Sequence, residues 1–183
     1  MKNNTKTKDI VNWIEVSDIW GDLDKSEITF IDLFSGAGGM SKGFEMAGFE
    51  GIYGLDHFDS AVATYQRNFK HPIFNGDITL KKVKREFIEL VNDQLSGRKL
   101  NVMAGGFPCQ GFSLSGHRVV ADPRNSLYLD MLEIVNILKP DFVVLENVVG
   151  LRSMMKGGIE RKIIDDYVSS GYEINVTTLH AAD

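Results

Sequence analysis

The chain has 183 residues, 43% of them hydrophobic and 25% charged, the composition of one soluble globular domain with a core of its own. A formal charge of −5 argues against a surface that grips a phosphate backbone unaided, because lysine and arginine supply that grip. No window approaches the roughly 18 apolar residues of a membrane span, the N-terminal stretch lacks the apolar run of a secretory signal, and the single cysteine allows no internal disulfide. A cytoplasmic protein without membrane contact is expected.

In chain order, residues 1–27 are polar, with Val11, Trp13, Ile14, Ile19 and Trp20 at roughly helical spacing, and read as an N-terminal arm. From Ile28 onward short apolar runs ending in Gly, Asp or Asn alternate with amphipathic segments, the rhythm of βαβ units. Six strands are predicted: ITFIDLF (28–34), GIYGLD (51–56), HPIFNGD (71–77), LNVMAGGF (100–107), DFVVLENV (141–148) and YEINVTTL (172–179). Leu127, Met131, Ile134, Val135 and Leu138 form one helix face that Pro140 terminates. The fifth strand lacks alternation, which predicts a central position with both faces covered, whereas the sixth alternates and belongs toward an edge. The expected fold class is α/β, with a mostly parallel, doubly wound, Rossmann-like sheet.

Directly after the first strand, DLFSGAGGMSKGF opens a helix. Gly36, Gly38 and Gly39 permit a sharp turn that brings peptide N–H groups against a ligand. Their Gly-x-Gly-Gly spacing is not the dinucleotide fingerprint, so a carboxylate-bearing ligand suits them as well as a pyrophosphate. Asp56 closes the second strand, where nucleotide-binding sheets hold ribose hydroxyls, and Asp77 stands next along the same edge. The blander reading is a tight turn with helix-capping aspartates.

The fourth strand delivers Cys109 to that edge. A lone cysteine is commonly a small buried hydrophobe. Here Gly105, Gly106 and Pro108 surround it with little bulk, and residues 110–125 follow without a clear element, the length of a functional lid. A nucleophile on a rigid corner under a mobile lid is a catalytic arrangement. The fifth strand brings Glu146 and Asn147 to the same rim, where partial desolvation should raise the Glu146 pKa and suit it to donate a proton; capping a helix or pairing with a lysine is the alternative. Four scattered histidines without ligand spacing predict no metal.

FIDLFSGAGG, GGFPCQGFS and LENV, in this order, resemble the signature blocks of the DNA cytosine-5 methyltransferase family from about Ile28 to the end, and DPRNSLYLDMLEIV resembles the segment between its lid and fifth strand. The resemblance implies that residues 28–183 are part of a catalytic domain dependent on S-adenosyl-L-methionine, typical of bacterial restriction-modification systems. It makes Cys109, set by Pro108, the nucleophile at cytosine C6, Glu146 the proton donor at N3, and Asn147 a holder of the thiol loop. Phe34, Gly36, Gly38 and Gly39 then pack on the cofactor, Asp56 holds its ribose, Asp77 and Ile78 meet its adenine, and Leu127 touches it too. Gln110, Ser113 and Arg124 belong to the lid over a cytosine flipped from double-stranded DNA.

Two departures qualify the match. Asp56-His57 stands where many relatives have Glu-Trp or Glu-Asn, leaving His57 as the aromatic cover of the adenine. The family's Gln-x-Arg-x-Arg block and target-recognition domain are missing, as is the antiparallel strand that inserts between the fifth and sixth. The expectation is therefore a catalytic fragment or one subunit of a split enzyme, inactive alone, completed by a second polypeptide and accompanied by a cognate restriction endonuclease. Alternatives are an RNA substrate, an NAD-type oxidoreductase on the same sheet, and a non-catalytic partner subunit.

Overall fold

The computed structural model describes residues 21, 23–108 and 127–180; most of the predicted arm, and with it Cys109, Gln110, Ser113 and Arg124, lies outside the described residues. Five strands form one all-parallel sheet in the order β3-β2-β1-β4-β5. They are β1 (Thr29–Leu33), β2 (Glu50–Asp56), β3 (Ile73–Asn75), β4 (Val102–Gly105) and β5 (Phe142–Leu145), each inside or close to its predicted run. Every residue of β1 is buried, as a central strand with covered faces requires. The chain winds outward from β1 through β2 to β3, then returns to lay β4 on the other side of β1. The carboxyl ends of β1 and β4 thus flank the point where the winding reverses, which is where open α/β sheets bind ligands.

The helices follow from local chemistry. Helix α1 (Gly39–Met46) starts from a left-handed Gly38 (φ 94°), and α2 (Asp59–Asn68) follows β2. In α3 (Lys81–Leu95), Lys84, Phe87, Val91 and Leu95 make the buried stripe, and left-handed Ser96 and Gly97 end it. The buried Lys84 ammonium is neutralised by Asp130 (2.8 Å) and Glu133 of α4 (Leu127–Leu138), clamping the two helices together. Helix α4 buries Met131, Ile134 and Val135 on the face predicted for it. Short α5 (Gly150–Ser153) and α6 (Gly158–Ser169) follow β5, and α6 buries Ile163 and Tyr167.

Two expectations fail at one edge. β5 is the outermost strand among the described residues, and Val144 is 40% exposed. Val143 and Leu145 pack on the core while Val144 faces away, so its unbroken apolar run marks a face without cover. Residues 172–179 form no strand. Tyr172 donates its hydroxyl to the Pro140 carbonyl (2.8 Å), just before β5, and Arg152 Nη1 donates to Thr178 Oγ1 (2.9 Å), just after it. The run therefore travels beside β5 in the same direction but forms no ladder with it. A groove of about 910 Å³ separates them, lined by Val144, Val148, Leu151, Ile174 and Val176 among others. A strand exists only through its partner, and among the described residues none pairs with this run.

Candidate active site

The glycine corner is built by backbone conformations that few side chains tolerate. Phe34 (φ 56°), Gly36 (φ 55°) and Gly38 (φ 94°) all lie in the left-handed region. The Gly36 N–H donates to Asp56 Oδ2 (2.8 Å), Ser35 N–H to the Leu55 carbonyl (3.1 Å), and Phe58 N–H to Asp56 Oδ1 (2.9 Å). Asp56 thus staples the loop after β1 to the loop after β2. It is 6% exposed, and each oxygen keeps one lone pair for a ligand hydroxyl. Among the described residues nothing lies within 4 Å of the Cβ position at Gly36 or Gly39, so the backbone there is uncovered by them.

Asp77 is exposed at the end of β3, and its Oδ1 accepts from Thr79 N (2.9 Å) and Oγ1 (2.8 Å). These bonds, aided by His57, hold its carboxyl below the usual range. Ile78 is buried beside it, and Leu127 packs against the core at the start of α4. His57 stands over this rim with its ring centroid 4.0 Å from that of Phe58, which is 62% exposed. Sequence reasoning passed over Phe58. An aromatic next to a polar strand end was the available signal.

On the other side of the reversal point, Phe107 is buried with its ring centroid 6.2 Å from that of Tyr128, and Pro108 follows. Asn147 Nδ2 donates to the Phe107 carbonyl (2.9 Å), and Asn147 Oδ1 accepts the Val148 N–H (2.8 Å). The loop after β5 thereby grips the stem that leads to residue 109. Glu146 N–H donates to the Gly105 carbonyl (3.1 Å), and a Cβ on Gly106 would lie 3.2 Å from Glu146 Oε2 and 3.8 Å from Met40 Cε of α1. Gly106 is thus the meeting point of the acid, the stem and the glycine corner. Glu146 is exposed, contrary to the partial desolvation expected for it, because β5 is an edge strand with an open groove beside it.

The described residues hold no cluster of metal-ligating side chains. Fold and rim together define a Rossmann-like protein whose ligand crevice joins a glycine corner to an acid and a rigid loop stem. A sheet of this kind is shared widely: a short-chain dehydrogenase/reductase from Saccharomyces cerevisiae superposes with a TM-score of 0.52 over 74% of this chain and 60% of its own length, but at 15% identity the likeness is one of fold. The chain belongs to the C-5 cytosine-specific DNA methylase family, which matches residues 28–183. The type II methyltransferase M1.HphI of Haemophilus parahaemolyticus is 37% identical over 164 residues, 85% of this chain and 42% of that protein. A crystal structure described as a DNA modification methyltransferase encoded within an E. coli prophage has a TM-score of 0.62 at 32% identity, over 78% of this chain and 38% of its own. The chain spans less than half the length of the curated relatives it matches.

Proposed function

We propose that this chain is the cofactor-binding and catalytic portion of a bacterial DNA cytosine-5 methyltransferase, cytoplasmic and paired with a restriction endonuclease of the same specificity. The observation that carries the reading is the convergence at Gly106. Glu146, the stem held by Asn147 and the first turn of α1 meet at one rim, so a pyrimidine seated there would touch an acid beside the glycine corner and the stem that leads to Cys109.

In this reading the Cys109 thiolate adds to C6 of a flipped cytosine while Glu146 gives a proton to N3. The C4–C5–C6 region becomes an enamine whose C5 is nucleophilic. S-adenosyl-L-methionine, which the glycine corner would hold, would supply an electrophilic methyl group for C5 to attack, the sulfonium leaving as the neutral thioether. Loss of the C5 proton and β-elimination then free Cys109. Pro108 and Asn147 hold the thiol loop, because attack on one face of a planar ring tolerates little misplacement. Seating the base would strip water from exposed Glu146 and strengthen its bond to N3. Phe34, Gly36, Gly38 and Gly39 would line the cofactor, Asp56 would accept its ribose hydroxyls, and Asp77, Ile78, Leu127 and His57, with Phe58, would surround its adenine. The open backbone at Gly36 and Gly39, beside a carboxylate with lone pairs to spare, fits such a guest. Gln110, Ser113 and Arg124 would close over the flipped base.

The groove beside β5 supports the second part of the proposal: further polypeptide completes this chain, covering the apolar edge and supplying base recognition and positive charge. The test is incubation with tritiated S-adenosyl-L-methionine and duplex DNA carrying 5-fluorocytosine, with and without a polypeptide that matches the relatives' remaining length. A trapped covalent adduct is expected only with that polypeptide, and Cys109→Ser should abolish it. Robust transfer by the 183 residues alone would overturn the need for completion, and an adduct that survives Cys109→Ser would overturn the assignment of the nucleophile.

A further inference from the structure

Beneath the glycine corner lies a polar plug that the proposed chemistry does not use. Three glycines make room for it. A Cβ on Gly38 would fall 2.1 Å from the Phe69 ring, one on Gly51 2.3 Å from His71 Nδ1, and one on Gly54 2.8 Å from Tyr65 Cζ. The Tyr65 side chain is fully buried, and its hydroxyl lies 2.7 Å from Ser41 Oγ and 2.7 Å from His71 Nε2. Ser41, also buried, donates its N–H (3.1 Å) and its hydroxyl (2.6 Å) to Asp32 Oδ2.

Proton counting gives this chain a direction. Ser41 has one hydroxyl proton, and it is spent on Asp32. With Asp32 ionised, Tyr65 therefore donates to Ser41, and the Tyr65 oxygen accepts from His71 Nε2–H. His71 thus carries a proton on Nε2, while its Nδ1, 3.5 Å from Glu45 Oε1, faces a carboxylate that favours a second proton there. The two ends matter. Asp32 lies in β1, two residues before Phe34, and Ser41 is the third residue of α1, so the Asp32–Ser41 bonds join both stems of the glycine corner. Tyr65 and His71 anchor that joint to α2 and to the segment entering β3.

We propose that Tyr65 and His71 are positioning residues for the cofactor: the chain His71→Tyr65→Ser41→Asp32 fixes the two stems of the glycine corner and so sets its affinity for S-adenosyl-L-methionine. This rests on the reading that the corner binds that cofactor. A buried donor or acceptor left without its partner loses enough to change affinity about tenfold. The experiment is equilibrium dialysis of tritiated S-adenosyl-L-methionine against the full chain and its Tyr65→Phe, His71→Leu and His71→Gln variants, with thermal unfolding of each. Tyr65→Phe keeps the ring and its packing but breaks the chain, and should weaken binding about tenfold. His71→Leu should do the same, whereas His71→Gln, which can place an amide N–H where Nε2–H stood, should stay within about twofold of wild type.

Binding by Tyr65→Phe equal to wild type, or by His71→Gln as weak as by His71→Leu, would overturn the positioning role while leaving the cofactor reading intact. Absence of any binding by the wild-type chain would instead sink the cofactor reading and this role with it. Nitrogen-15 NMR of the His71 ring at pH 8 decides the direction of the chain independently of any ligand. A proton on Nε2 is expected, and a ring protonated at Nδ1 alone would refute the relay.

Discussion

The two sides of this sheet solve the same problem to different degrees. On the β1–β2–β3 side, polar groups at the strand ends find partners within the chain: Asp56 takes two backbone N–H groups, Asp77 takes Thr79, and Tyr65 bridges Ser41 and His71. On the β5 side, apolar surface is left open: Val144, Val148 and Val149 are exposed, and Ile174 and Val176 look across a groove without a strand to cover them. A buried polar group must be satisfied locally, because leaving it unpaired costs on the order of 1–3 kcal/mol. An apolar edge has no such urgency and can wait for cover from elsewhere. On the proposed reading, the difference separates a side whose polar groups are largely paired among the described residues from a side that further polypeptide would cover.

The sharpest way to break the paired side is Gly38→Ala. The new methyl would lie 2.1 Å from the Phe69 ring at a φ of 94°, so overpacking and left-handed strain add. Together they cost about 3–5 kcal/mol, against about 1–2 kcal/mol for Gly36→Ala, where only the strain applies. Urea unfolding of the two variants should rank them in that order, and equal losses would show that the ring can move aside.

A second test exploits a cost this side carries. Asp32 is fully buried, and burial pushes its carboxyl up to about 6 against the Ser41 hydrogen bonds that pull it down; its other oxygen, Oδ1, has no hydrogen-bond partner among the described residues. The native carboxyl therefore holds its proton more tightly than the unfolded one, whose value is 3.8. Its contribution to stability is complete below 3.8 and drains away as the pH rises through about 6. A displacement of that size corresponds to about 3 kcal/mol. Asp32→Asn can still accept from Ser41 and does not titrate. Its stability relative to wild type should therefore grow by about 3 kcal/mol between pH 4 and pH 8, and a pH-independent difference would show that Asp32 is solvated.

The same contrast governs what could be read from the residues alone. Runs such as ITFIDLF and LNVMAGGF announce their strands because the covering helices are encoded nearby, and the α4 face was legible in its spacing. The place of β5 was not, since FVVL suits a strand covered on both faces equally well as one awaiting cover. YEINVTTL alternates as a strand should, yet alternation records a capacity to pair and the partner is absent from the described residues. Asp56 was expected to meet a ligand, and it also holds the corner closed, a role visible only once Gly36 and Phe58 are brought to it. Asp32 was an unread signal: a carboxylate inside an otherwise apolar central strand has to find a partner, and Ser41, nine residues on, is that partner.

The smallest expected effect sharpens the comparison from the open side. Val144 is 40% exposed on β5, so Val144→Lys removes little packing and adds a charge that water can reach. The isolated chain should keep its unfolding midpoint in urea to within about 0.5 kcal/mol of wild type, the usual range for surface substitutions. If further polypeptide covers this edge, the same lysine becomes a charge buried in an apolar groove, and its long side chain must also fit where a strand should pair. Adduct formation in the presence of the completing polypeptide should then fall by tenfold or more while binding of S-adenosyl-L-methionine stays unchanged, a loss of about 1.4 kcal/mol or more confined to one side. A variant that destabilises the isolated chain would mean that the edge is already covered from within, and one that leaves the completed enzyme untouched would mean that the cover lies elsewhere.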